Sequence, residues 1–177
     1  MLGSADWFMV VFRIVHIVSG VFWVGSIFLF VVYVQPSVAE IAPAGAPFMA
    51  ELLGKRRLVD RIIVLAVITI AGGLVLYWHD WHQYPSFDDW IRSHFGATLT
   101  LGMLGAIAAL VIGVVVTRPN VMRLLALGGQ VAASGAPPTP EVGAEMGAIQ
   151  GRLKTAARAS FALLVVAVLA MATARYL

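Results

Sequence analysis

Apolar residues run almost unbroken over four stretches, each near the 20 residues that a bilayer core demands, and polar, Pro- and Gly-rich segments separate them. The pattern predicts helices over about residues 7–34, 58–83, 95–117 and 152–176. Trp7 and Tyr33 bracket the first helix as interface anchors, and Gln35-Pro36 predicts its end. Arg118-Pro119 predicts the end of the third. The segment 35–57 reads as a polar loop with a short amphipathic piece at 48–53. The segment 118–151 contains a weakly amphipathic stretch, 120–133, suited to a membrane surface, and then a Gly/Pro linker at 135–140.

Composition agrees with this pattern. Of 177 residues, 60% are hydrophobic and 12% charged, and the mean hydropathy is +0.91. A soluble domain carries about twice that charged fraction. The expected fold is therefore an all-α integral membrane protein, a single transmembrane domain built as a four-helix bundle in the lipid bilayer. The first apolar run is too long for a signal-peptide core and lacks a basic leader, so it reads as a retained helix.

Charge sets an expected orientation. Nine of the twelve Lys/Arg fall in 35–61 and 118–158, which the positive-inside rule assigns to the cytoplasm. The loops 35–57 and 118–151 are then cytoplasmic, and both termini and the 79–94 loop lie on the outer side. Topology thus accounts for the pI of 9.7, and nucleic acid is not an expected partner. With no cysteine, the chain has no disulfide, iron–sulfur ligands or covalent haem attachment motif. It also carries no Walker loop, nucleophile elbow or dinucleotide fingerprint.

The chemistry-bearing residues gather toward the expected outer side. Phe12, His16, Ser19, Gly20, Trp23 and Ser26 share one face of helix 1, with Arg13 one turn above His16. Counting from the basic edge at about 1.5 Å per residue puts His16, His79 and Arg175 in one layer about 25 Å away, with His82 and His94 higher. Ionisable groups within such helices are costly unless they face protein, water or a ligand.

Three readings are open. In the first, the cluster holds haem b for electron transport: His16 is the ligand, and His79 the first-choice partner, with His94 or His82 as substitutes. Gly20 and Trp23 would then line the macrocycle, and Arg13 and Arg175 meet the propionates. In the second, His16, His79, His82 and His94 form a metal site, most plausibly for copper, with Asp80 nearby and the thioethers of Met9, Met103 and Met171 in the outer half. In the third, the chain is an accessory or anchor subunit that docks a redox partner or larger membrane complex through its tryptophan-rich outer loop. Homo-oligomerisation stays open in all three.

The run His16-Ile17-Val18-Ser19-Gly20-Val21-Phe22-Trp23-Val24-Gly25 resembles the first-helix pattern of CopD-like bacterial inner-membrane proteins. It is similar, too, to patterns in the membrane domain of PuuD-type urate oxidases and in HemJ-type protoporphyrinogen oxidases. Thr69-Ile70-Ala71-Gly72-Gly73-Leu74-Val75-Leu76-Tyr77, Phe95-Gly96 and Arg118-Pro119 extend the resemblance over helices 1 to 3. The resemblance implies a multi-pass protein of the bacterial plasma membrane. From the HemJ-type members it implies haem ligation by His16 alone. The chain lacks the fused cytochrome c domain of the urate oxidases and the additional helices of full-length copper-resistance D proteins.

Overall fold

The computed structural model describes residues 6–42 and 44–177, and among these it contains helices and turns but no strand. Four helices are long and apolar enough to cross a membrane: α1 (Trp7–Glu40), α3 (Leu58–Trp81), α5 (His94–Ser134) and α6 (Pro140–Tyr176). Two short helices sit between them, α2 (Gly45–Ala50) and α4 (Phe87–Arg92). The bundle consists of two closely packed pairs, α1 with α3 and α5 with α6, joined along α3–α5 and α1–α6.

Lipid chains are as apolar as leucine, so helices in a membrane associate through close packing and polar contacts rather than by escape from water. Small residues accordingly mark the contacts. Trp23 is buried among Ala66, Ala106, Ala109, Leu164 and Ala167, one indole filling the space that the alanines leave open. In α5, a Cβ added at Gly102 or Gly105 would come within 3.3 Å of the α6 backbone at Ala167 or Leu163.

Three boundaries differ from the pattern-based expectation. Gln35-Pro36 and Arg118-Pro119 do not end their helices. A wide π-helical turn precedes each proline, at Phe30–Val34 and Ile112–Thr117, and the helix continues beyond it. A π turn shifts the hydrogen-bond register by one residue, which accommodates a ring that lacks an N–H and would otherwise meet the carbonyl four residues back. In the same way, α6 begins at Pro140 rather than near residue 152. Gly135, at φ +65°, terminates α5, and Thr139 caps α6 with Pro140 in its first turn. The stretch expected on the membrane surface therefore continues α5 and pairs with the start of α6. Arg123 clasps Glu145 there through two hydrogen bonds of 2.7 and 3.1 Å. Helix α4 is not predicted by the hydrophobic pattern; Ser86 starts it by accepting from the Asp89 N–H and donating to the Asp89 carboxylate.

At the basic end, Asp60 ties α3 to α5. Its two carboxylate oxygens accept from Arg57 at 2.9 Å and from Arg118 at 2.8 Å. At the opposite end, Trp90 is fully buried and meets Tyr77, Tyr84 and Phe95 edge-on at centroid distances of 5.0 to 5.5 Å. Gly96 lies directly under it. An added Cβ would collide with the Trp90 carbonyl oxygen and come within 2.7 Å of its ring. Gly96→Ala should therefore destabilise the bundle by about 1–3 kcal/mol or more, whereas Gly25→Ala, with nothing within 4 Å of its added methyl, should not. Unfolding midpoints in detergent, followed by tryptophan fluorescence, compare the two; equal midpoints would contradict this packing.

Candidate functional site

The polar face of α1 meets α3 at one closely built point. The carbonyl oxygen of Thr69 lies 2.7 Å from His16 Nδ1. A carbonyl can only accept, so Nδ1 carries the proton, and in the neutral ring Nε2 is left with a free lone pair. A helical carbonyl that already accepts from the residue four further on keeps a second lone pair for such a contact. Here that later residue is Gly73. A Cβ on it would lie 2.8 Å from His16 Cε1 and 2.9 Å from Nδ1, so only glycine lets the ring reach the α3 backbone. Gly72 performs the same service for the α1 backbone, since its added Cβ would sit 3.3 Å from His16 Cβ.

Below this contact two buried hydroxyls join the helices. Thr69 Oγ1 is 2.9 Å from Ser19 Oγ and 2.8 Å from the Leu65 carbonyl, and it donates its one proton to either. Ser19 donates to the Val15 carbonyl at 2.6 Å. Gly20 faces the Thr69 methyl, where a Cβ would stand 3.3 Å away. His16, Ser19, Gly20, Thr69, Gly72 and Gly73 thus form one seam.

A second feature lies at the end of the bundle that carries the termini. An open cleft of about 550 Å³ is lined by Arg13, His79, Asp80, His94, Phe95 and Arg175, among others. His79 Nδ1 is 3.3 Å from the Asp80 carboxylate and 3.2 Å from the Gln83 amide nitrogen; it donates to the first in one tautomer and accepts from the second in the other. His82 is not among the lining residues. Its Nδ1 donates to the Trp78 carbonyl at 2.8 Å, and its ring packs on Trp78 and Trp81.

The candidate residues are therefore distributed over two places. Arg13, His79, His94 and Arg175 come together in the cleft. His16 does not line it. It contacts α3 at Gly73, six residues before His79, a rise of about 9 Å along the helix. The single layer expected for His16 and His79 comes from counting residues from two basic edges as though both helices ran straight from one plane. Helix α1 continues past Tyr33 to Glu40, so a count from Tyr33 does not start at the helix end. Trp23 faces the bundle core. Among the described residues, no three His, Cys, Asp or Glu side chains converge as a metal cluster would require.

Comparison of the chain with protein-family models, curated proteins and solved structures returns no match.

Thr69 and Gly73 lie outside the set of site residues that the sequence pattern singles out. Their signal is present as Thr69-Ile70-Ala71-Gly72-Gly73, because paired glycines in an apolar helix mark where another group reaches the backbone. Gly73→Ala should push the imidazole off the Thr69 carbonyl. Thr69→Val keeps that carbonyl and removes only the hydroxyl link, at about 1 kcal/mol. Nitrogen-15 spectra of ring-labelled histidine separate the two: the His16 Nδ1–H signal should move in Gly73→Ala and stay in place in Thr69→Val.

Proposed function

We propose that this chain is a multi-pass haem b protein of the bacterial plasma membrane, with His16 as an axial ligand, acting in electron transfer or as a subunit of a membrane redox complex. The observation that carries the reading is the 2.7 Å contact of His16 Nδ1 with the Thr69 carbonyl. Ligating imidazoles commonly donate their other ring N–H to a carbonyl or carboxylate, which fixes the tautomer and makes the free nitrogen a better donor. Gly72 and Gly73 on the opposing helix give His16 the room to reach that backbone oxygen.

The donor set fits the group. His16 offers a fixed tautomer with Nε2 available, and Arg13, one turn nearer the cleft, is placed for a propionate. Bound haem would supply one-electron chemistry. The protein's own part is to hold the ring plane of His16 against α3, to fix the orientation of Nε2 through the Thr69 carbonyl, and to keep the dry seam of Ser19 and Thr69 closed beneath it. His79 and His94 we assign to the cleft rather than to the level of His16. The resemblance of the first helix to HemJ-type proteins supports the same ligand. The positive-inside rule supports placing the Asp60–Arg118 end in the cytoplasm and the cleft on the outer side.

An optical spectrum of detergent-purified protein, made with haem supplied, tests the reading. It should show a Soret band that sharpens on reduction, disappears in His16→Ala and persists in His82→Ala. Gly73→Ala should weaken haem retention by about 10- to 100-fold, as loss of an orienting partner does. A band that survives His16→Ala would remove the assignment, as would a colourless preparation carrying stoichiometric copper.

A further inference from the structure

We infer that the cleft between the ends of the four long helices is an anion-binding site, one that takes a carboxylate or phosphate carried on an apolar body. Each long helix contributes to it a side chain that can donate hydrogen bonds to an anion: Arg13 from α1, His79 from α3, His94 from α5 and Arg175 from α6. Asp80 is the one acidic side chain among the lining residues, and it is engaged with His79 at 3.3 Å. The Tyr84 side chain also faces the space. At the basic end, among the described residues, Lys55, Arg56, Arg57, Arg118 and Arg123 pair with carboxylates while Arg61, Arg152, Lys154 and Arg158 do not, and at the cleft end Arg92 pairs with Asp88. Among the described residues, neither Arg13 nor Arg175 has an acid within ion-pair distance.

Two guanidinium groups turned toward one space repel each other unless an anion lies between them, and guanidinium forks suit carboxylate and phosphate oxygens. Phe95, Ala174 and Leu177 give the same cleft an apolar lining, so the ligand is an amphiphile rather than a bare ion. The anion has two sources: the propionate of a haem held by His16, or the phosphate of a lipid headgroup. The shared chemistry does not depend on the haem reading.

The probe is short-chain phosphatidylglycerol, with short-chain phosphatidylcholine as the zwitterionic reference, bound to the protein in uncharged detergent and read by native mass spectrometry. Phosphatidylglycerol should bind about tenfold more tightly, and Arg13→Gln and Arg175→Gln should each remove most of that preference. Arg152→Gln, at the opposite end, should leave it intact.

Repeating the titration on haem-loaded protein separates the sources. If haem excludes the lipid and Arg175→Gln weakens haem retention, the propionate is the anion. If lipid binding is the same with and without haem, the lipid phosphate is. Equal binding of the two lipids, with haem retention unmoved by both arginine variants, would overturn the inference, as would an equal loss in Arg152→Gln.

Discussion

The contact on which the α1–α3 pair depends is the approach of one helix to the backbone of the other at Thr69–Gly73. In a lipid solvent a polar side chain gains nothing by moving from water to protein, because the water is already gone. What remains is the difference between an unsatisfied imidazole and one that has found an acceptor. His16 finds its acceptor in a main-chain carbonyl, which substitution cannot delete, and reaches it only because residue 73 has no side chain. The close spacing forced by that bond then brings Gly20 onto the Thr69 methyl and Ser19 onto its hydroxyl. The seam is at once a close helix contact of α1 and the place where the one histidine of α1 is held in a single tautomer.

The two ends of the bundle place charge differently. At the basic end five cations are paired with carboxylates. Asp60 bridges Arg57 and Arg118, and Glu51 accepts from both Lys55 and Arg56, an arrangement that holds the Glu51 carboxyl below its ordinary range, chiefly through the Lys55 hydrogen bond. The π turns at Phe30–Val34 and Ile112–Thr117 belong to the same end. They let two proline-containing helices continue, and so the arginine after one of those turns, Arg118, reaches Asp60. At the other end Arg92 pairs with Asp88, while Arg13 and Arg175 face the open cleft. The first arrangement closes a structure, whereas the second leaves work for a ligand.

The number of long helices, the approximate starts of the first three and the burial of small residues in α5 can be read from hydrophobic period and composition, since both derive from the length and solvent of the bilayer. The continuation past Pro36 and Pro119 cannot. A proline reads as a stop unless a π turn is known to precede it, and a π turn has no side-chain signature in Phe30–Val34 or Ile112–Thr117. The short α4 is in principle legible in Ser86 and Asp89, a serine and an acid three apart at a helix start. For the site, residue type succeeds where depth fails. Arg13, His79, His94 and Arg175, all expected far from the basic edges though not in one layer, share one cleft. His16 sits lower, because the register of α1 against α3 is set by Gly73 and not by the count of residues between loops.

That lower position gives the arrangement its internal logic. A ligating imidazole profits from a dry, fixed setting, where the Thr69 carbonyl acts undiluted by water and the ring cannot turn. Anion-binding groups need the reverse, because a guanidinium held deep in the bundle without a partner would cost more than any ligand could return. Placing Arg13 a single helical turn from His16 satisfies both demands on one helix. The ring stays in the seam with α3, while the cation reaches the open cleft and meets Arg175, His79 and His94 there. A flat molecule with one polar edge would match such a gradient from dry to charged along α1. A small inorganic ion held in the cleft would have no use for the seam below it.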